Sequence, residues 1–403
     1  MKKMKVAGIP VKKGENDMLL EQKLLKIKNT IKTTGFFLML SFVLTGCYPN
    51  GEIQKQKDNN EDIAIESNVN NINMELDENL SVNADLEIEL EAKWKNKKVV
   101  LKNWNVDEVA HIFGEDQNIA RENTMPDVDN ENYNDHYIYW EDESMLILQR
   151  GKLQYFTKRE LEYSYLSYLY GIMPYLTNEA MEKFPETEIP ELSKEDAILE
   201  VKGIVEKLGI EVSEPKVYSL TYEKLEANTD YTQLDPNGNE PHKWGEEDAV
   251  YAVAFKGMSN SLPITEVGYR SGLAAGERIV GIVGKQGLIA LQALNIYELQ
   301  SEGDLEKPIV NVEIILESIR NKFRNVLITD EIEIEKISLE YVPVLEDLEA
   351  GVYQLKPMYV CMAKQNIKRT QEKEDKGVIE ESGRFPIIFD ACTGTEIQTG
   401  GAY

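Results

Sequence analysis

The sequence has few of the side chains that bind metals or act as nucleophiles in enzymes. It contains three histidines and three cysteines in 403 residues. No HExxH, CxxC or His-x-His spacing occurs, which argues against a zinc site. No Gly-x-Ser-x-Gly motif occurs, and the glycine-rich stretch 268–287, read as a loop or hairpin insertion, has neither a Walker lysine pattern nor a GxGxxG fingerprint. We therefore expect no enzyme activity and no cofactor.

Positive charge and long apolar runs are also scarce. The chain has 44 Lys and Arg against 71 Asp and Glu, a net charge of −27. No basic patch stands out, which argues against nucleic acid as a partner. The clearest apolar run, Gly35 to Leu44, covers ten residues, whereas a membrane-spanning helix needs about 20.

That apolar run has the position and length of a secretory signal. Nine lysines and three acids precede Cys47, and a basic stretch followed by a short apolar run is typical of a signal peptide. We assign residues 1–46 to this leader, whose start is either Met1 or Met18. Its removal leaves the remaining chain still more acidic.

The four residues that end the run carry the most specific signal. Leu44-Thr45-Gly46-Cys47 resembles the bacterial lipobox, in which a large aliphatic and two small residues precede cysteine. The resemblance implies that a diacylglyceryl group is added to the Cys47 thiol and that the leader is cut after Gly46. Two acyl chains anchor a protein stably, whereas one anchors it only marginally. We therefore expect a lipid anchor on the outer face of the cytoplasmic membrane, with membrane lipid contacted through Cys47.

After the anchor, the pattern predicts a linker and three folded units. Residues 47–83 are rich in Asn, Asp and Glu and predict a flexible linker. The units are an N-terminal α+β unit at 84–190 and two repeat units at 191–303 and 304–403. In each repeat, a helix precedes three strands. The strands are predicted at 216–225, 250–255 and 287–299, then at 332–344, 353–364 and 385–397.

Local signals mark several elements within these units. Asn105 with Glu108, and Ser193 with Asp196, are typical of helix N-termini. Pro308 predicts the start of the second repeat's helix, and one face of that helix is a predicted apolar stripe of Val312, Ile315, Leu316, Ile319 and Phe323. Segments 136–140 and 145–149 predict a hairpin, and 152–170 is either another strand or a tyrosine-rich helix.

The C-terminal segment resembles the PepSY-like and YycI-like extracytoplasmic domains of Gram-positive bacteria. The resemblance rests on segments 337–343, 355–360 and 385–397, the last containing Asp390-Ala-Cys-Thr-Gly-Thr-Glu396. The turn is one residue longer before its acid than in those domains. The whole layout is similar to that of Clostridia-type lipoproteins. The resemblance implies an α+β fold in which a helix crosses each antiparallel sheet, close to the cystatin type.

Three groups of residues are candidate sites. Asp235, Asn237, Asn239 and Glu246 partly match a calcium loop, although Glu240 replaces its glycine and a solvated turn is the alternative. Cys361 and Cys392 could form a disulfide or remain buried thiols. Two tyrosine-rich groups could stack on sugars or belong to the core; they are Tyr133, Tyr137, Tyr139 and Trp140, and Tyr163, Tyr165, Tyr168 and Tyr170.

These features predict a membrane-anchored surface lipoprotein that binds or regulates another envelope protein without catalysis. Two alternatives stay open. One is a carbohydrate- or solute-binding lipoprotein that uses the tyrosines, and the other is a cell-wall hydrolase.

Overall fold

The structure, a computed structural model, describes thirteen stretches of the chain. They are residues 71–87, 94–115, 117–127, 132–170, 183–232, 241–260, 262–267, 276–303, 309–324, 326, 328–347, 350–370 and 378–397. For 170, 367–370 and 378–382 only the backbone is described. The chain divides into two units, and every element below belongs to the unit of Asp58–Thr229 and His242–Ala402. In the other unit, the backbone N–H of Thr232 donates to Asp230 Oδ1 at 2.9 Å.

Most of the strands belong to two sheets. The first sheet has seven strands in the order β1-β2-β15-β16-β3-β14, with β17 also paired to β16, and only the β2–β15 pairing is parallel. Its strands are β1 Asn71–Asp77, β2 Leu80–Glu87, β3 Lys97–Leu101, β14 Tyr297–Glu302, β15 Ile332–Asp347, β16 Val352–Thr370 and β17 Val378–Asp390.

The second sheet has eight antiparallel strands in the order β4-β5-β6-β7-β13-β12-β9-β8. They are β4 Ile119–Pro126, β5 Asn134–Trp140, β6 Met145–Gln149, β7 Lys152–Phe156, β8 Lys216–Leu220, β9 Val250–Phe255, β12 Arg278–Gly284 and β13 Gly287–Leu294. A short hairpin of β10 Met258–Ser259 and β11 Leu262–Pro263 follows β9.

The helices within the described stretches are mostly short. They are α1 Val106–Gly114, α2 Lys158–Tyr163, α3 Ser167–Tyr170, α4 Lys194–Lys207, α5 Tyr222–Ala227, α6 Val312–Phe323 and a 3₁₀ turn at Glu246–Asp248. No helix in the described stretches is long and apolar enough to cross a membrane.

The predicted α+β class is wrong, because the fold is mostly β, with 49% strand and 21% helix. In the second repeat β15, β16 and β17 pair in chain order, as the antiparallel sheet of one unit predicts, but the sheets do not stop at the predicted unit boundaries. Instead β7 pairs with β13 and β2 pairs with β15, partners more than 100 residues apart in the chain. The predicted units 84–190 and 191–303 therefore share a sheet. Long-range pairing, which a local pattern does not encode, decides the architecture.

The predicted linker is too long at its C-terminal end. Residues 71–83 form β1 and part of β2. Ile72, Leu76, Leu80 and Val82 are buried there, whereas the polar residues between them are mostly exposed. The Asn and Asp content of this stretch concealed a period-two pattern typical of strands.

The predicted helix caps are confirmed. Asn105 Oδ1 accepts from the backbone N–H of Glu108, and Ser193 Oγ accepts from that of Asp196. The helix predicted from Pro308 is capped by Asn311 instead, and residue 308 lies outside the described stretches. Val312, Ile315, Leu316 and Ile319 of α6 are buried in the core of the first sheet, on the predicted stripe.

Other strand boundaries differ from the predicted ones. The hairpin of β5 and β6 and the strand 250–255 are confirmed. However, segment 216–225 is a strand only to Leu220, after which α5 begins at Tyr222. The glycine-rich stretch, predicted as a loop or hairpin insertion, contains the central strand β12. The ambiguous segment 152–170 is a strand followed by two short helices.

The second sheet is covered on both faces. Along β9 all six side chains are buried, alternating between the core beneath α4 and the core that contains Trp244. Gly281 lets α4 pack closely, since a Cβ there would lie 2.5 Å from Val201. Each large apolar side chain buried in this way contributes roughly 1.5–3 kcal/mol.

The segment between β9 and β11 joins the two sheets. Lys256, which follows β9, bonds through Nζ to Glu340 Oε1 on β15 at 2.6 Å. The backbone N–H of Thr265 donates to the carbonyl of Tyr341 at 2.9 Å. Leu262 and Ile264 enter the core of the first sheet. This joint, residues 256–260 and 262–265, therefore connects the end of β9 in the second sheet with the first sheet.

Candidate functional site

The predicted anchor and most of the calcium candidate lie outside the described residues. These are Cys47 with Leu44, Thr45 and Gly46, and Asp235, Asn237 and Asn239. Glu246 is exposed in the 3₁₀ turn. The described stretches contain no group of three or more His, Cys, Asp or Glu side chains arranged for a metal ion.

The strand register excludes the disulfide considered between Cys361 and Cys392. Cys361 lies in β16 opposite Ile387 of β17, and Cys392 follows five residues beyond Ile387. The backbone N–H of Ala391 donates to the carbonyl of Pro357, four residues and about 13 Å along β16 from Cys361, whereas a disulfide needs Cα atoms within about 7 Å. Complete burial raises the pKa of the Cys361 thiol.

The two tyrosine-rich groups have different surroundings in the structure. Tyr137 and Trp140 are buried on opposite faces of β5, and Trp140 packs edge-on against Tyr155 in the core. The first group is thus largely structural. The side chain of Tyr170 lies outside the described part of the chain.

The tyrosines of the second group contact the rings of His242 and Trp244. The sequence did not indicate that these two residues belong to a site. Tyr163 and His242 stack with ring centroids 4.1 Å apart and 17° between their planes. Trp244 meets both rings edge-on, at 4.8 Å from His242 and 6.0 Å from Tyr163. Tyr168 approaches Trp244 at 5.7 Å. We call Tyr163, Tyr165, Tyr168, His242 and Trp244 the aromatic cluster.

Asp248 fixes the polar side of the aromatic cluster. Its carboxylate accepts from Arg159 Nη2 at 2.8 Å and from the backbone N–H of Gly245 at 2.9 Å. It also lies 2.9 Å from His242 Nε2. Asp248 is 6% exposed, whereas His242 is 31% exposed. The network therefore holds a partly exposed imidazole in a defined orientation.

Thr229 fixes the other side of the cluster. Its hydroxyl accepts from Trp244 Nε1 at 2.8 Å and bonds to the hydroxyl of Tyr168 at 2.7 Å. Arg159 Nε also donates to the Tyr165 hydroxyl at 3.0 Å. Aromatic rings beside a few fixed polar groups are typical of sites that bind small polar molecules. A lone tryptophan in the polar stretch 241–248 was the one sequence signal that could have indicated the site.

A buried acid lies in the helix that carries Arg159 and Tyr163. Glu160 is 6% exposed, its Oε1 accepts from the backbone N–H of Leu166, and no described residue bonds to its Oε2. Burial raises the pKa of Glu160 to about 8. Glu160 is therefore mostly protonated at neutral pH.

Comparison with known proteins gives a similarity in fold. No family model and no curated protein matches the chain. Among solved structures, the chain is similar to an uncharacterized protein from Eubacterium rectale ATCC 33656, with a TM-score of 0.60 and 16% identity. The similarity covers 82% of this chain and 94% of that one. At this identity the two proteins share a fold, and the match carries no functional information.

We predict that Glu160→Gln changes how stability depends on pH. An unfolded glutamate loses its proton near pH 4.5, whereas folded Glu160 keeps it to about pH 8. This group therefore makes the fold less stable as pH rises across that window. Glutamine keeps the acceptor for Leu166 and removes the titration. Between pH 5 and pH 8.5, the free energy of urea unfolding should fall by up to roughly 3 kcal/mol less in Glu160→Gln than in the parent protein.

The matched control is Glu195→Gln, because Glu195 is 75% exposed on α4. This variant should reproduce the parent pH profile. Identical profiles for the parent and for Glu160→Gln would contradict the assignment of a buried neutral acid.

Proposed function

We propose that this protein is a lipoprotein anchored to the outer face of a bacterial cytoplasmic membrane, where it binds an envelope protein without catalysing a reaction. The observation that carries the proposal is Leu44-Thr45-Gly46-Cys47, placed immediately after a ten-residue apolar run. An extracellular anchor limits the partner to proteins of the envelope. The mostly β fold supports a binding role, because open sheet edges can accept strands of other proteins.

Two measurements in intact cells test this proposal. Cys47→Ala should move the protein out of the membrane fraction and abolish labelling by a clickable fatty acid, whereas Cys392→Ala should keep both properties. Amine-reactive crosslinking of the parent protein should then yield an adduct with one envelope protein, and Cys47→Ala should reduce that adduct strongly. Unchanged membrane association of Cys47→Ala would refute the anchor. Crosslinking that yields no specific envelope protein would refute the binding role.

The aromatic cluster supports carbohydrate binding as a second candidate function. Tyr163 and His242 are both partly exposed, and Asp248 and Arg159 supply charged groups beside them. Sugars bind to aromatic rings through their apolar faces and to carboxylates through their hydroxyls.

We expect the parent protein to bind a glycan on a glycan array. Tyr163→Ala should bind the same glycan at least tenfold more weakly. Tyr133→Ala should leave binding unchanged, because Tyr133 belongs to the other tyrosine-rich group and contacts Arg150. An array with no bound glycan, or equal binding by both variants, would exclude this candidate.

A further inference from the structure

The second sheet has an edge strand, β4, that pairs on one side. Among the residues that the structure describes, β4 pairs with β5 alone. Its register has one irregularity, between Ile119 and Arg121, and is regular from there to Pro126. The strand is exposed or half-buried at all eight positions. An edge of this kind can extend the sheet by one more strand.

The ladder shows which backbone groups of β4 face outward. The N–H of Asp127 donates to the carbonyl of Tyr133 at 2.9 Å, so these two residues form a hydrogen-bonded pair. Bonded and non-bonded pairs alternate along antiparallel strands. Glu122, Thr124 and Pro126 therefore direct their backbone groups away from β5. Since proline has no N–H, the open edge offers two N–H donors and three carbonyl acceptors.

The exposed side chains around this edge are mainly apolar or acidic, and the one base of the strand, Arg121, is half-buried over the Tyr139 ring at 4.2 Å. Ile119 is 50% exposed and Met125 is 47% exposed. Glu122 is exposed, and Glu141 accepts from Asn118 beside the start of the strand at 3.2 Å. The chain as a whole has a net charge of −27. Such an edge favours an added strand with apolar and positively charged side chains.

Other edges are less suited to an added strand. At β8, the Ser219 hydroxyl donates to the carbonyl of Thr187 at 2.7 Å and accepts from the backbone N–H of Thr187 at 2.8 Å, so another segment lies there. At β14, the register is interrupted between Leu299 and Ser301, in the middle of the strand. At β1, the carbonyl of Leu76 accepts from Arg320 Nε of α6 at 3.0 Å. At the C-terminal end of β17, the backbone N–H of Ile397 donates to the carbonyl of Ile388 at 2.8 Å, so other groups already occupy part of both edges.

We propose that the β4 edge binds an extended, basic segment of the envelope partner as an additional strand. This inference rests on the proposed function and specifies the surface and the chemistry of the partner. Main-chain hydrogen bonds to Glu122, Thr124 and Pro126 supply the attachment. Lysine or arginine side chains next to Glu122 and Glu141, and apolar side chains against Ile119 and Met125, supply the selectivity.

Site-specific photocrosslinking of the full-length protein in cells tests the inference. Benzoylphenylalanine in place of Ile119 or Met125 should capture one basic, extended segment of the partner. The same probe in place of Leu199, which is 66% exposed on α4, should not capture it. If amine-reactive crosslinking finds a partner but the β4 probes do not, the edge inference falls and the proposed function stands.

A matched pair of proline variants tests the hydrogen bonds. Thr124→Pro removes an outward N–H and leaves the backbone hydrogen bonds to β5 intact, losing only the contact of the Thr124 hydroxyl with His136 Nδ1 at 3.3 Å, so we expect at least fivefold less adduct at Met125. The control is Leu299→Pro on β14. Ile296 accepts from the N–H of Lys102 at 2.8 Å, so alternation directs the N–H of Leu299 outward too. This control should keep the parent adduct yield.

Charge variants keep the test decisive if Thr124→Pro fails to fold. Glu122→Lys should lower the adduct yield at least threefold, because it repels a basic segment. Glu195→Lys, an equal charge change on α4, should not lower it. Full adduct yield from folded Thr124→Pro, or from Glu122→Lys, would overturn the inference.

Discussion

The fold depends on a buried ion pair that joins its two sheets. Glu340 is 2% exposed, and both Lys256 and the hydroxyl of Ser338 bond to it. Burial alone would raise the pKa of Glu340, but Lys256, Lys336 and Ser338 lower it to about 2. Burial alone would lower the pKa of Lys256. The nearby carboxylates of Glu340 and Glu266 have the larger combined effect and raise the pKa of Lys256 above its usual value. Each charge is therefore tolerated in the interior because the other is present.

Further polar contacts lie in the joint and close to it. Lys97 on β3 is 1% exposed and donates to the Ser259 hydroxyl of the hairpin at 2.8 Å. Glu277, which precedes β12, accepts from the backbone N–H of Tyr297 on β14 at 3.0 Å. Burial raises the pKa of Glu277 to about 8. Each of these side chains has a specific partner, so the contacts define one arrangement of the sheets more narrowly than apolar packing alone does.

This arrangement bears on the proposed function. The chain that follows Cys47 enters the described fold at β1, in the first sheet, whereas the aromatic cluster and the β4 edge belong to the second sheet and its helices. The joint is therefore one of the links between the sheet that follows the proposed tether and the sheet that carries both candidate binding surfaces. A substitution in the joint should change the position of both surfaces relative to the first sheet, although the substituted residue contacts neither surface.

The sequence predicted local features well and long-range ones poorly. Helix caps at Asn105 and Ser193 and the buried stripe of α6 were predictable because residues within one or two turns determine them. The pairing of β2 with β15 was not, because no local pattern states which strand lies next to which. The aromatic cluster was half predicted: its tyrosines are close in sequence, but His242 and Trp244 join them only through the fold.

A double-mutant cycle on Lys256 and Glu340 tests the joint most directly. Lys256→Met and Glu340→Leu should each lower the free energy of urea unfolding by about 3–5 kcal/mol, since each removes the closest partner of a charge that burial disfavours. The double variant should lose less than either single one. Lys194→Met, which breaks the more exposed contact with Glu186, should cost about 1 kcal/mol or less. Single losses as small as that of Lys194→Met, or a double loss equal to the sum of the two, would contradict this account of the fold.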